Sequence, residues 1–281
     1  MSGSEADLIQ VVQLIAVLLV AGLFAGFVAG LFGIGGGFIV VPALLIVFSY
    51  FGVDPDITTH VAIGTSLATI IVTSARSLQA HNKHGAIDFK VLRDWTPWLA
   101  LGAVCGILTA KFMDGRSMKW IFATGVFFMG LHFIAPILQP KTAIARDMPN
   151  GPARASIATF LGGFSALLGI GGGTIAVLVM TACGRSIHQS VATAAGFGVV
   201  IAIPGALGFA VLGLIGHQEL PFGSFGYINL LAVAAISVMS FITAPIGANL
   251  AHSLNGPVLK RIFGVYLVAT SAIVLHNSLT A

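Results

Sequence analysis

Two stretches of bare backbone carry the chemistry most worth placing. LFGIGGGFIV (31–40) holds Gly33, Gly35, Gly36 and Gly37, and GIGGGT (169–174) holds Gly169, Gly171, Gly172, Gly173 and Thr174. Glycine costs a helix about 1 kcal/mol relative to alanine, so each cluster reads as a break. The segment that restarts after a break, at Phe38 or at Thr174, carries N–H groups without intrahelical partners and the positive end of a helix dipole. That is chemistry for holding an anion. Downstream, IGTSLATIIVTSARS (63–77) spaces Thr65, Thr69, Thr73 and Ser77 four residues apart, with Ser66 beside them. Such a stripe is either a hydrogen-bonding wall for an oxyanion or a row of hydroxyls bonded back to carbonyls of their own helix. Thr65, Ser66 and Thr69 are its binding candidates, with Gln189 and Thr193 as weaker partners from the second half of the chain. Arg76 ends the stripe, as a snorkelling side chain or as a counter-charge for an incoming anion. His132 is the one ionisable residue well inside an apolar run, which makes it the candidate for a proton relay.

These residues must be held by elements that sit in lipid. Of 281 residues, 57% are hydrophobic and 8% charged, where a soluble domain carries about 25% charge. The apolar runs are about twenty residues long, which means spanning helices rather than barrel strands. The fold class is therefore an all-α integral membrane protein. The start, MSGSEADLIQVVQ, has no Lys or Arg, so the first apolar run is expected to belong to the mature chain. A net charge of +4 needs no nucleic acid, because the basic residues fall between apolar runs. Cys105 and Cys183 form no CxxC and are expected to pack as small apolar groups. The HxxH of HNKH (81–84) falls in an expected loop with no further ligand nearby, so no metal is expected. All nine carboxylates lie in the tail or the expected loops. That argues against a cation substrate and against a paired-acid or Ser-His-acid enzyme.

The two halves are related. LFGIGGGFIVV (31–41) and LLGIGGGTIAV (167–177) match at eight of eleven positions, 136 residues apart. Gly106, Ala110, Gly115, Lys119, Ile121 and Phe122 recur as Gly247, Ala251, Gly256, Lys260, Ile262 and Phe263, 141 apart. Between them, VAIGTSLATI (61–70) is set against VATAAGFGVV (191–200), which lacks the Thr-Ser pair. The expected layout is an N-terminal repeat (1–138), a cytoplasmic linker (139–154) and a C-terminal repeat (155–281). Each repeat is a glycine-broken helical hairpin plus three transmembrane helices. With each hairpin entering and leaving on one face, ten Lys and Arg fall on one side and three on the other. The positive-inside tendency then places both termini outside the cytoplasm and makes the repeats inverted. Gly22, Gly26 and Gly30, four apart, read as helix packing. The GIGGG pair reads as binding, because three successive glycines exceed what packing needs.

GLFGIGGGFIVVPALL and ALLGIGGGTIAVLVM in a duplicated membrane chain resemble the sulfite exporter TauE/SafE family, and HVAIGTSLATI followed by HGAIDF is similar to its pattern. The resemblance covers nearly the whole chain. It implies a secondary transporter in the cell (inner) membrane, for sulfite, sulfoacetate or another organosulfonate, working as an exporter by alternating access. An uptake permease or channel for a different small organic acid anion is the other reading. The expected partners are a small anionic substrate and the lipid bilayer, without cofactor or nucleic acid, and homodimerisation is left open.

Overall fold

The structure is a computed structural model that describes residues 3–135, 147–216, 219–251, 253 and 256–280. The expected linker lies outside the described residues up to position 146. Ten helices follow one another: α1 (Gly3–Phe32), α2 (Gly37–Tyr50), α3 (Pro55–Lys83), α4 (Phe89–Ala110), α5 (Gly115–Ile134), α6 (Gly151–Leu168), α7 (Gly173–Ala182), α8 (Ile187–Ile215), α9 (Leu230–Ala251) and α10 (Gly256–Thr280). A two-residue hairpin, β1 (Ser224–Phe225) with β2 (Ile228–Asn229), precedes α9. Among the described residues, five helices are long and apolar enough to cross a membrane: α1 from Val12, α3, α5, α8 and α9. Their outward faces carry exposed Phe24, Phe128, Leu207 and Ile242, as a surface solvated by lipid tails requires.

Helix starts are marked locally. Asp54, Asp88, Asp114 and Ser186 each accept an N–H from the first turn of α3, α4, α5 and α8, and Asn229 accepts from Ala232 in α9. These caps pair N–H groups that the helix geometry leaves open.

Small residues set the helix contacts. A Cβ at Gly22 or Gly30 would meet the backbone of Ile236 or Ala244, so α1 and α9 lie parallel at backbone contact. Ser240 and Thr243 donate across to the carbonyls of Gly22 and Leu23. Gly102 against Thr159 and Gly106 against Gly163 give α4 and α6 the same parallel arrangement. By contrast α3 and α8 run antiparallel, with Gly64 against Phe209 and Ser74 against Gly198. So do α5 and α10, with Gly130 against Gly264 and Ser271 donating to Ala123. The packing reading of Gly22, Gly26 and Gly30 is the one the structure adopts.

Two expectations are corrected. Cys105 is exposed on α4 rather than buried, where lipid accepts a weakly polar thiol, while Cys183 is partly buried against the core near Met180 as expected. His81 is not in a loop. It is buried in the last turn of α3 with Nε2 2.9 Å from the Gly30 carbonyl, while His84 meets Asn249.

Candidate functional site

The two glycine breaks lie against each other in the middle of the protein. α1 ends at Phe32, the chain reverses through Gly33, Gly35 and Gly36, all at positive φ (65, 77 and 79°), and α2 starts at Gly37. The second break repeats this with Gly169 (64°) and Gly172 (66°) before α7. Only glycine adopts such φ values without strain. The breaks cross antiparallel: a Cβ on Gly37 would collide with the Gly169 carbonyl, and one on Gly173 with the Gly33 carbonyl. At the centre, Gly35 lies against Gly171. The helix starts of α2 and α7 therefore sit at opposite ends of the crossing. The reason is steric: bare backbone lets the breaks overlap along their length.

α3 braces this crossing with its hydroxyl stripe. Ser66 donates to the Gly169 carbonyl at 2.8 Å and Thr73 to the Gly35 carbonyl at 2.9 Å. Ser77 reaches Ala29 at 3.3 Å, and Thr69 donates to Ser66 of its own helix at 2.7 Å. A broken helix leaves carbonyls unpaired, and in lipid each is costly. The stripe supplies the missing donors, so these protons are already spoken for in this conformation.

Thr65 and Thr193 have matching tasks. Thr65 Oγ1 accepts the Asn229 N–H at 2.9 Å, and Thr193 Oγ1 accepts the Asp88 N–H at 2.9 Å. Asp88 and Asn229 then cap α4 and α9 through the N–H groups of Val91 and Ala232. Each threonine thus ties its own half to a helix start in the other half. Asp88 also meets Arg185 at 3.5 Å; Asn229 instead donates to the Phe222 carbonyl. These bonds align Thr65 with Thr193 and His60 with His188, 128 residues apart, two residues off the register taken from the sequence. Gly- and Ala-rich helices leave that register weakly marked.

The remaining candidates are dispersed. Gln189 is half-exposed in the first turn of α8, its N–H on Ser186. Arg76 points at α9, with its guanidinium 3.9 Å from the centre of the Phe241 ring and Nη1 on Gln79. It lines a cavity of about 90 Å3 with Lys83, Pro245 and Asn249. His132 lines an apolar groove with Trp120, Phe128, Phe164 and Leu178; none of these groove residues belongs to the crossing.

Sequence reasoning missed two features. A cavity of about 350 Å3 lies on the face where α3 and α5 begin, lined by Asp56, His60, Lys111, Asp114 and Tyr227 together with Met113, Leu212 and Ile215. His60 rests against Tyr227 there, ring centres 5.1 Å apart. Hydrogen bonds from Ser117 hold the exposed Asp114 carboxyl below its ordinary pKa. The other missed feature is a set of buried hydroxyls without hydrogen-bond partners: Ser74 and Ser165, with the anticipated Thr174.

Lipid-facing helices, hydroxyl-braced breaks and backbone-only contact at the centre define a multi-pass membrane protein with its irregular backbone shielded inside. The chain belongs to the sulfite exporter TauE/SafE family, which its residues 18–274 match; membership makes it a membrane transporter. It is similar to a probable membrane transporter protein of Haemophilus influenzae, 33% identical over 92% of this chain and 96% of that one. It is also similar to one of Methanocaldococcus jannaschii, 24% identical over 86% of this chain and 88% of the relative. No solved structure matches it.

Proposed function

We propose that the chain is a secondary exporter of small sulfur-containing anions, sulfite or an organosulfonate such as sulfoacetate, working by alternating access between two inverted repeats. The observation that carries this reading is the crossing of the two glycine breaks. It puts two helix N-termini and bare backbone in a shielded interior; Asp56 and Asp94, expected in loops, lie instead in the first two turns of α3 and α4, away from the crossing. Helix ends and amide N–H groups bind an anion without the desolvation cost of a buried cation.

The inverted arrangement is supported by the helix directions. The pairs α3–α8 and α5–α10, each matching one half to the other, are antiparallel, and the Thr65–Asn229 bond has its counterpart in Thr193–Asp88. Gly115, at the start of α5, lies against Asp56, at the start of α3. α10 runs back along α5 and so ends on that face, which also carries Lys111, Arg116 and Lys119; the opposite face carries Arg76, Lys83, Lys90, Arg93, Arg154 and Arg185. That distribution favours termini outside the cytoplasm of the cell membrane. The crossing is closed in this conformation, since Gly37 and Gly173 touch the other break's carbonyls. An anion reaches it only when the halves part, as alternating access requires.

The test is a thermal-shift panel on purified protein with sulfite, thiosulfate, sulfoacetate, taurine and simple carboxylates, followed by efflux from proteoliposomes. A bound anion raises the apparent stability of the native state. Stabilisation and efflux with sulfite or a sulfonate are the expected result. Response to carboxylates alone would replace the sulfur anion by another organic acid, and response to no anion would remove the reading.

A further inference from the structure

The geometry points to a one-sided anion subsite at the start of α7, in which the hydroxyls of Ser74, Ser165 and Thr174 donate to the oxyanion. It rests on the reading of the crossing as an anion site and says which residues do the binding.

The three hydroxyls are buried, with 0% of Ser74 and Ser165 and 2% of Thr174 exposed, and none has a hydrogen-bond partner. Buried hydroxyls are nearly always paired, and an orphan keeps its full desolvation cost. The contrast with the paired hydroxyls is direct: Ser66, Thr69, Thr73 and Ser77, on the same helix as Ser74, all donate to carbonyls. Ser237 is a fourth orphan, but it is half-buried on α9.

The orphans lie along the crossing of the two breaks. Thr174 lies in the first turn of α7. Ser165 Oγ lies 3.2 Å from where a Cβ on Gly172, the N-cap of α7, would stand. Ser74 Oγ lies 3.0 Å from the corresponding point on Gly35, whose Cβ would also be 3.4 Å from Gly171. The N–H groups of Gly173 and Thr174 open the helix and have no intrahelical acceptor. Ser165 and Thr174 thus sit at the second break, and Ser74 sits where the two breaks cross, beside Gly35 and Gly198.

The first break has no such set. At the positions 136 residues earlier, Ser165 and Thr174 are matched by Ala29 and Phe38, both fully buried. In the register fixed by Thr65 and Thr193, Ser74 is matched by Ala202, also fully buried. A duplicated scaffold has kept one polar member of each pair, so each chain holds one anion.

The experiment measures sulfite binding and apo-protein melting for Ser74→Ala, Ser165→Ala and Thr174→Val, with Ser66→Ala as the paired-hydroxyl control. The loss of one hydrogen bond to a charged group weakens sulfite binding about tenfold or more. Each of the three variants is expected to show that loss while melting at or above the wild-type temperature without ligand, because an unpaired buried group has been removed. Ser66→Ala is expected to melt lower. Equilibrium binding should give one sulfite per chain. Wild-type affinity in all three variants, lower apo melting in all three, or two sulfites per chain would overturn the subsite while leaving the transporter reading intact. A wild-type protein that binds neither sulfite nor any other anion of the panel would overturn both.

Discussion

The two glycine breaks share a backbone and differ in what surrounds it. The first uses three left-handed glycines and packs Gly36 against Ala25, with Ala29 and Phe38 nearby in sequence. The second uses two and packs Gly172 against Leu161, Ile201 and Ser165. Both have a carbonyl bound by α3, Gly35 by Thr73 and Gly169 by Ser66. The shape of the crossing is therefore a property of both breaks, whereas the free hydroxyls of Ser165 and Thr174 belong to the second and that of Ser74 lies where the breaks cross. Geometry and chemistry have been divided between two copies of one motif.

The largest effect should come from closing the contact on which both breaks depend. Gly37→Ala and Gly173→Ala each drive a methyl into the other break's carbonyl, beyond the ~1–3 kcal/mol of ordinary overpacking. Both are expected to reduce transport in proteoliposomes to background, and activity in either would show that the crossing opens more easily than its packing implies. Next come the braces: Ser66→Ala and Thr73→Val each orphan one buried break carbonyl, for about 1–3 kcal/mol, read as a lower melting temperature. Equal losses would mean that the breaks are equally braced.

The ties between halves give a smaller and asymmetric effect. Thr65→Val and Thr193→Val each remove the acceptor of one N–H, for ~1–2 kcal/mol. The Thr193 side also has the Asp88–Arg185 pair, whose Arg185 side chain is 41% exposed. That pair is worth at most ~1 kcal/mol and is screened by salt. Arg185→Gln should flatten the salt dependence of melting, whereas the neutral Thr65–Asn229 side contributes none. The smallest effect is at Asp114. Its carboxyl is held below the ordinary value by Ser117, so its stabilising contribution is present above the ordinary carboxylate pKa and is lost as pH falls through the lowered one. Asp114→Asn should remove that acid-side loss from a melting-against-pH profile.

Much of this was legible in the sequence. The apolar runs, the breaks and the packing of Gly22, Gly26 and Gly30 are local, and local pattern reports them. The i, i+4 stripe on α3 was legible as a polar face, but its task was not. Thr65, Ser66 and Thr69 read as binding groups, while their partners are Asn229, the Gly169 carbonyl and the Ser66 carbonyl. Ser165 carried no sequence signal, because one serine in an Ala/Gly-rich helix is unremarkable.

The sequence by itself determined that this chain spans lipid and that one glycine-rich motif occurs twice in it, each time as a break in an apolar run. Those are consequences of composition and spacing, which act over a few residues. The tertiary structure alone decided which hydroxyls are occupied. Thr73 finds its acceptor 38 residues away and Ser66 103 residues away, while Ser74, one residue beyond Thr73, finds none. A hydroxyl's freedom depends on which carbonyl the packed helices bring within 3 Å of it, and one helix's periodicity holds no information about that distance.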